Sequence, residues 1–232
     1  WYEPLTLLTM IAANTSSINL ATAVLIAPLR SPALLAKTAA SLDAISNGRL
    51  ELGVGLGWQE EEYEASGISF DQRAKIFWET LDICQSLWKG GPVSHKGEIF
   101  EFNDIWCHPI PPQGTDIPLL FGVKMTESNA QKIAKIGHGW IPIKTSRDFI
   151  SEGSEKLNNA FKEAGRDDKP RIRGQLPTCV DSNGVPSVDL TLKELEKSME
   201  AGLEEIEVFP INFAQSPDHL REVLELIGEL KK

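Results

Sequence analysis

An α/β fold built on a parallel sheet is predicted by three observations. Helix-like and strand-like segments alternate along the chain with short loops between them. The strand-like segments are near-continuous aliphatic runs, the pattern of strands covered on both faces. No linker-like tract interrupts the 232 residues, so a single domain over residues 1–232 is expected.

The elements follow in order. "EPLTLLTMIAANTS" reads as a helix, with Pro4 suited to a first turn and Leu5, Leu8 and Ala12 at helical spacing. "INLATAVLIAPL" reads as a doubly buried strand closed by Pro28. "SPALLAKTAASLDAISNGR" is a helix with Ser31 placed to cap it, Pro32 in its first turn and Asn47-Gly48 at its end. "LELGVGLG" is the next strand, and "QRAKIFWETLDICQSLWKGG" a helix with Ile76, Leu81 and Cys84 on one face.

Between about 91 and 117 the rhythm changes to short alternation, Gly turns and a Pro cluster, which predicts a small antiparallel insertion. Then come the strand "IPLLFGV", the helix "TESNAQKIAKIG", the strand "GHGWIPIK" and the helix "SRDFISEGSEKLNNAFKEAGRD". The strand "PRIRGQLPTCV", the helix "LTLKELEKSMEAG", the strand "LEEIEVFPI" and the helix "SPDHLREVLELIGELKK" complete the chain. Six parallel strands fit an open doubly wound sheet, or the last six of an eight-stranded barrel whose first βαβ piece is absent. The helix-first start favours the barrel.

Composition excludes several classes of function. With 23 basic and 33 acidic residues the net charge is −10, which argues against a nucleic-acid surface because phosphate contacts need clustered Lys and Arg. Cys84, Cys107 and Cys179 are widely spaced and form no CxxC pair, so neither a disulfide framework nor a zinc site is expected. A reducing, cytoplasmic setting is the simplest inference. The longest apolar stretches fall short of a membrane span, and no basic region precedes an apolar one as in a signal peptide.

"LELGVGLGWQEEE" carries glycines at 53, 55 and 57 straight after a strand pattern. A dinucleotide-binding G-x-G-x-x-G fails here, because the last required glycine falls on Trp58 or Glu60. Glu60, Glu61 and Glu62 would also set carboxylates where a pyrophosphate must sit, although they suit a helix start. Alternate glycines leave bare backbone on one strand face. Two readings stay open: a flat ring approaches that face, or the glycines relieve crowding inside a barrel.

The residues from Trp1 to Trp88 resemble the luciferase-like monooxygenase family, with "EPLTLL", "ATAVL", "P.LLAK..A.LD..S.GRL.LGVG.GW" and "GISFDQR" in matching order and spacing. "GHGWIPI" matches a later element, with His138 where members often carry Asp. The resemblance implies a (β/α)8 TIM barrel using FMN or the deazaflavin coenzyme F-420, and it leans to the deazaflavin branch. It further implies a strand, helix and strand ahead of "EPLTLL", the second strand often ending in an active-site His, so the chain is expected to lack its first βαβ segment. A small organic substrate is implied, acted on by hydride transfer or oxygenation, and homodimers are common in the family. The alternative is a shortened barrel that binds flavin without turnover.

By the same resemblance Ala23, Val24 and Leu25 stand where the family has a bulged strand, often with a non-proline cis peptide, behind the cofactor ring. Gly55 and Gly57 fall at the next strand end. Gly122, Val123, Lys124 and Thr126 match the cofactor-phosphate segment, with Val123 replacing the second glycine of the usual pair. An ordinary capped helix competes with that last assignment, because Thr126 or Ser128 would cap in any case. Trp58 reads equally as a stacking surface or as rim packing. Glu60 and Glu61 read first as a solvated helix start and second as general acids. No catalytic residue and no metal ligand is assigned, and His95, His108, His138 and His219 are weak candidates.

Overall fold

The computed structural model describes residues 2–214 and 216–229. Trp1 and residues 230–232, the end of the predicted last helix, lie outside the described residues. The chain divides into two compact units, Trp1–Val123 with Lys135–His138, and Lys124–Ala134 with Gly139–Lys232.

The first unit begins with α1 (Pro4–Asn14). Glu3 caps it, accepting the Thr6 N–H at 2.7 Å and the Arg30 guanidinium at 2.6 Å. Burial works to raise the Glu3 carboxyl, but those donors outweigh it and hold the group at about 2. The predicted second element is split into β1 (Leu20–Ala21) and β2 (Leu25–Ile26), followed by a 3-10 turn over Ala27–Leu29. An unbroken aliphatic run gives no sign of that interruption. The buried Thr22 hydroxyl donates to the Gly53 carbonyl at 2.8 Å, so a side chain meets a backbone acceptor where the chain departs from the ladder.

Next comes α2 (Pro32–Ser46), which starts at Pro32 as expected. Ser31 occupies the cap position without a side-chain capping bond. Asn47 and Gly48 take φ of 59° and 78°, and the Gly48 N–H closes the helix on the Asp43 carbonyl at 2.9 Å. Then come β3 (Leu50–Gly55), the short α3 (Glu60–Ala65) and α4 (Arg73–Trp88). The insertion is the expected antiparallel hairpin, β4 (Val93–Lys96) with β5 (Glu101–Ile105). β6 (Leu119–Gly122) closes the unit's sheet.

All pairings in that sheet are parallel. β1 and β2 pair in turn with β3, setting Ala21 beside Glu51 and Ile26 beside Gly55. β3 pairs with β6, setting Val54 beside Phe121 and Gly55 beside Gly122. One face is greasy: Phe77 and Trp78 of α4 meet the Phe121 ring at 6.1 and 5.3 Å. On the other face lie Glu51, Gly53 and Gly55, because side chains alternate.

In the second unit all of α5 (Glu127–Ile136) but its last two residues precedes β7 (Gly139–Trp140), α6 (Arg147–Glu163), β8 (Arg171–Gln175), α7 (Val188–Glu200), β9 (Glu205–Glu207) and α8 (Pro217–Glu229). β7, β8 and β9 are parallel, with Trp140 beside Ile172, Arg173 beside Glu205 and Gln175 beside Glu207. Trp140 is fully buried and packs toward α6, where Gly153 leaves room for its ring. These strands are shorter than the aliphatic runs suggest. Pro142, Pro177 and Pro210 follow them closely, and proline cannot donate to a ladder.

Candidate functional site

Parallel α/β units hold ligands at the carboxyl ends of their strands. In the first unit the ends of interest are Gly55 of β3 and Gly122 of β6, and the segment between β1 and β2 passes over them. The Ala23–Val24 peptide is cis. Val24 is 37% exposed, and its side chain lies across Gly55 and Gly122. A Cβ on Gly55 would stand 2.6 Å from Val24 Cγ2, and one on Gly122 would stand 2.8 Å from Val24 Cγ1. The two glycines therefore seat Val24. The ring-approach reading of Gly55 becomes indirect: the surface offered outward is Val24 with exposed Ala23, and the glycines make it flat. Leu25 is buried and contributes backbone here.

Gly57 takes φ +70°, and a Cβ on it would meet Ile26 at 3.0 Å, so both conformation and space ask for glycine. Trp58 follows and is 81% exposed. The loop that carries it is pinned from below. The buried Tyr63 hydroxyl donates to the Leu56 carbonyl, Tyr63 meets Phe70 edge-on at 5.2 Å, and the Arg73 guanidinium lies 3.7 Å over the Phe70 ring. Glu60, Glu61 and Glu62 form the exposed first turn of α3, the solvated helix start that the sequence favours.

The hairpin is held by Glu79 of α4. Its carboxylate accepts the N–H groups of Ile99 and Phe100 and lies 3.1 Å from His95 Nε2. Burial works against the charge, but those donors keep the Glu79 carboxyl below its ordinary range. His138 sits at the opposite, amino end of β6, where Leu119 N–H donates to its Nδ1 at 3.2 Å. That bond makes it a turn-fixing group away from the strand ends that carry Val24.

In the second unit Lys124 and Thr126 are exposed. Thr126 Oγ1 accepts the Asn129 N–H at 3.2 Å, and the Lys124 carbonyl accepts from Asn129 Nδ2 at 2.9 Å. Thr126 is thus the cap of α5, and its hydroxyl hydrogen stays available to an acceptor. Gly122 and Val123 end the first unit immediately before Lys124, and Val123 is buried.

The composition gave no warning of a charged ladder on β8 and β9. Glu205 takes Arg171 Nε at 2.5 Å and Arg173 Nε at 2.6 Å. Burial tends to raise the Glu205 carboxyl, but the two guanidiniums pull it below its ordinary range. Glu207, two residues on, behaves oppositely. Burial pushes its carboxyl up, Arg173 opposes that and Glu205 adds to it, while Oε1 is buried without a hydrogen-bond partner among the described residues. The signal was present in "RIRGQ" and "EIE", where charge recurs at every second residue of strands expected to be apolar. Tyr63, Thr22 and Glu79 left no comparable signal, since each acts through a backbone partner distant in sequence or in another element.

Burial raises the thiols of Cys84 and Cys107, so neither is a ready thiolate. Among the described residues no group of three or more His, Cys, Asp or Glu could hold a metal ion, and no helix is long and apolar enough to cross a membrane.

Comparison with known proteins places this geometry. An uncharacterized protein of Mycobacterium tuberculosis (strain ATCC 25618 / H37Rv), Rv0953c, is 38% identical over 162 residues, covering 69% of this chain and 56% of the relative. The chain thus spans about half the length of the curated relatives it matches. The coenzyme F420 dependent tetrahydromethanopterin reductase of Methanopyrus kandleri superposes with TM-score 0.75 at 17% identity, over 96% of this chain and 85% of that one. The oxygenating constituent of 3,6-diketocamphane monooxygenase of Pseudomonas putida, a type II Baeyer-Villiger monooxygenase in complex with FMN, gives 0.65 at 22% identity over 77% and 54%. These likenesses establish the fold as the α/β barrel type expected from the sequence, here as a partial barrel. The family model described as luciferase-like monooxygenase matches residues 1–185, and the chain belongs to that family.

Proposed function

We propose that this chain belongs to an oxidoreductase that binds a flavin-type ring against Val24 and acts on a small organic molecule. The observation that carries this reading is the seating of Val24 across Gly55 and Gly122, which presents a flat, uncharged surface at the carboxyl ends of parallel strands. Such a surface suits an isoalloxazine or deazaflavin ring, so the residues present fit the group. Ala23, Val24 and the backbone of Leu25 would support the ring, and Gly55 and Gly57 would keep side chains out of its way. Taken by itself, the second unit offers Lys124 as a positive charge and Thr126 as a hydroxyl hydrogen to a phosphate, and the first unit offers the backbone of Gly122 and Val123. Glu127 in the first turn of α5 works against an anion there, so Lys124 is the main attraction.

When bound, the cofactor supplies the redox chemistry: hydride transfer for the deazaflavin, or oxygen activation for FMN. Of the two we favour the deazaflavin, in keeping with the sequence resemblance and with the F420 reductase among the structural neighbours. The protein's own part is to flatten one side of the site, position the ring and exclude water from it. This surface carries no titratable side chain among Ala23, Val24, Gly55 and Gly122, which also suits a barrel that binds the ring without turnover.

Titration of the purified protein with F420 and with FMN, and mass analysis of any chromophore released on denaturation, decides which ring is bound, and turnover of the bound ring separates an enzyme from a barrel that only binds it. Tight binding of F420 with weak binding of FMN is expected. Reversed preference moves the protein to the oxygenase branch, and binding of neither removes the proposal.

A further inference from the structure

Trp58 is an exposed aromatic that the fold neither buries nor leaves loose. It is 81% exposed, whereas Trp88 and Trp140 are essentially fully buried. Its pedestal is rigid on both sides: Gly57 is held at φ +70° against Ile26, and the Leu56 carbonyl is tied to Tyr63, itself fixed by Phe70 and Arg73. A tryptophan displayed on a fixed loop loses little freedom when a planar ring stacks on it, which is the condition for an efficient contact. It stands three residues beyond Gly55, the strand end over which the Val24 side chain lies.

The charge around it selects the partner. The helix α3 that follows Trp58 carries Glu60, Glu61, Glu62 and Glu64 and no Lys or Arg, while Arg73 of the pedestal lies with its guanidinium over the Phe70 ring. A negative field beside an aromatic face favours a cation over that face and disfavours an anion. The same field turns away the phosphate end of a flavin-type cofactor, so the platform belongs to the other reactant.

We infer that Trp58 is a specificity-determining platform for the substrate, and that the substrate is a planar, cationic or uncharged ring rather than an aromatic acid. This rests on the reading of the Val24 surface as a cofactor site. It is tested separately from that reading, with three probes of one ring size and different charge: benzamidine, benzamide and benzoate. Binding to the full chain is followed by ligand-observed saturation-transfer NMR and by tryptophan quenching at low ionic strength.

The order benzamidine, then benzamide, then benzoate is expected for the unaltered protein. Trp58→Ala should weaken benzamidine about fivefold, the equivalent of an exposed cation–π contact, while Trp58→Phe retains part of the binding. The triple substitution of Glu60, Glu61 and Glu62 by Gln should bring the three probes close together and keep the loss caused by Trp58→Ala. Trp58 is exposed, so its variants should fold, as circular dichroism checks. Equal binding by Trp58→Ala, or benzoate bound as well as benzamidine, overturns the inference. Cofactor titration of the same samples separates the two proposals. Ordered probe binding without cofactor supports the platform and overturns only the cofactor reading. Cofactor binding with an inert Trp58 does the reverse.

Discussion

The strand ends of the two units use opposite means to make a surface. On β3 and β6 the face that carries Gly53, Gly55 and Gly122 has Glu51 at its amino end, paired with Asn19 at 2.9 Å, and no charge toward its carboxyl end. There one side chain, Val24, lies over two glycines. On β8 and β9 the equivalent alternate positions are Arg171, Arg173, Gln175, Glu205 and Glu207, and on β9 the charge continues to the last residue. The first surface is specified by shape, which neither salt nor pH alters. The second is specified by charge, which responds to both. A flat neutral surface suits a ring held by stacking; a charged ladder suits a scaffold that must not slip in register.

The sharpest way to break this contrast is Arg173→Met. Arg173 is 9% exposed, and its loss leaves Glu205 with Arg171 as the remaining guanidinium on that carboxylate. Removing one partner of a buried pair costs about 3 kcal/mol, to be read from urea unfolding at pH 7. Glu205 is held below its ordinary value of 4.5, so its contribution is present above that pH and is lost as pH falls through the folded value. The variant should therefore lose less stability on acidification than the parent. A cost near zero at pH 7 would mean that the ladder contributes nothing to holding the strands.

A smaller effect is expected at the neutral surface. Gly55→Ala sets a methyl 2.6 Å from a γ-branch of Val24 and 3.3 Å from the Gly122 carbonyl, an overpacking worth about 2 kcal/mol. Adding Val24→Ala removes the first of these clashes and should recover more than half of the loss, a coupling that a double-mutant cycle measures. Both values should be the same at pH 5 and pH 8. A cost of Gly55→Ala that Val24→Ala leaves untouched would show that the glycine does not act by seating Val24.

The contrast also explains what the sequence could reveal. Alternation of elements, the antiparallel insertion, the Asn47-Gly48 helix stop and the solvated glutamates of α3 each depend on neighbours a few residues away, so a linear pattern carries them. The glycines at 55 and 57 marked a strand end for the same reason. That Gly55 and Gly122 share one occupant is a register fact, joining residue 24, between β1 and β2, to the last residues of β3 and β6, and no local pattern contains it. The split of the first strand was hidden because aliphatic residues look alike whether paired or not, and Thr22 alone differs. The Glu79 clamp joins a helix to a loop twenty residues away. The charged ladder was legible in principle, because "RIR" and "EIE" alternate, but expectation of an apolar parallel strand overrode it.

The finest test lies at the end of that ladder, where the charge has no full partner. Glu207 Oε1 is buried without a hydrogen bond among the described residues, and burial, reinforced by Glu205 and opposed by Arg173, raises its carboxyl above the ordinary 4.5. A raised carboxyl binds its proton more readily in the folded chain than in the unfolded one. Its favourable contribution is therefore complete below 4.5 and is lost as pH rises through the folded value, so at neutral pH the buried anion is a cost. Glu207→Gln removes that anion at every pH. The variant should be more stable than the parent at pH 7.5 by about 1 kcal/mol, and the gap should close as the pH is lowered toward the ordinary carboxylate range. Urea midpoints across that span measure it. If Glu207→Gln is instead the less stable protein at pH 7.5, Arg173 holds the Glu207 carboxylate as firmly as it holds Glu205, and the ladder is paired to its last residue.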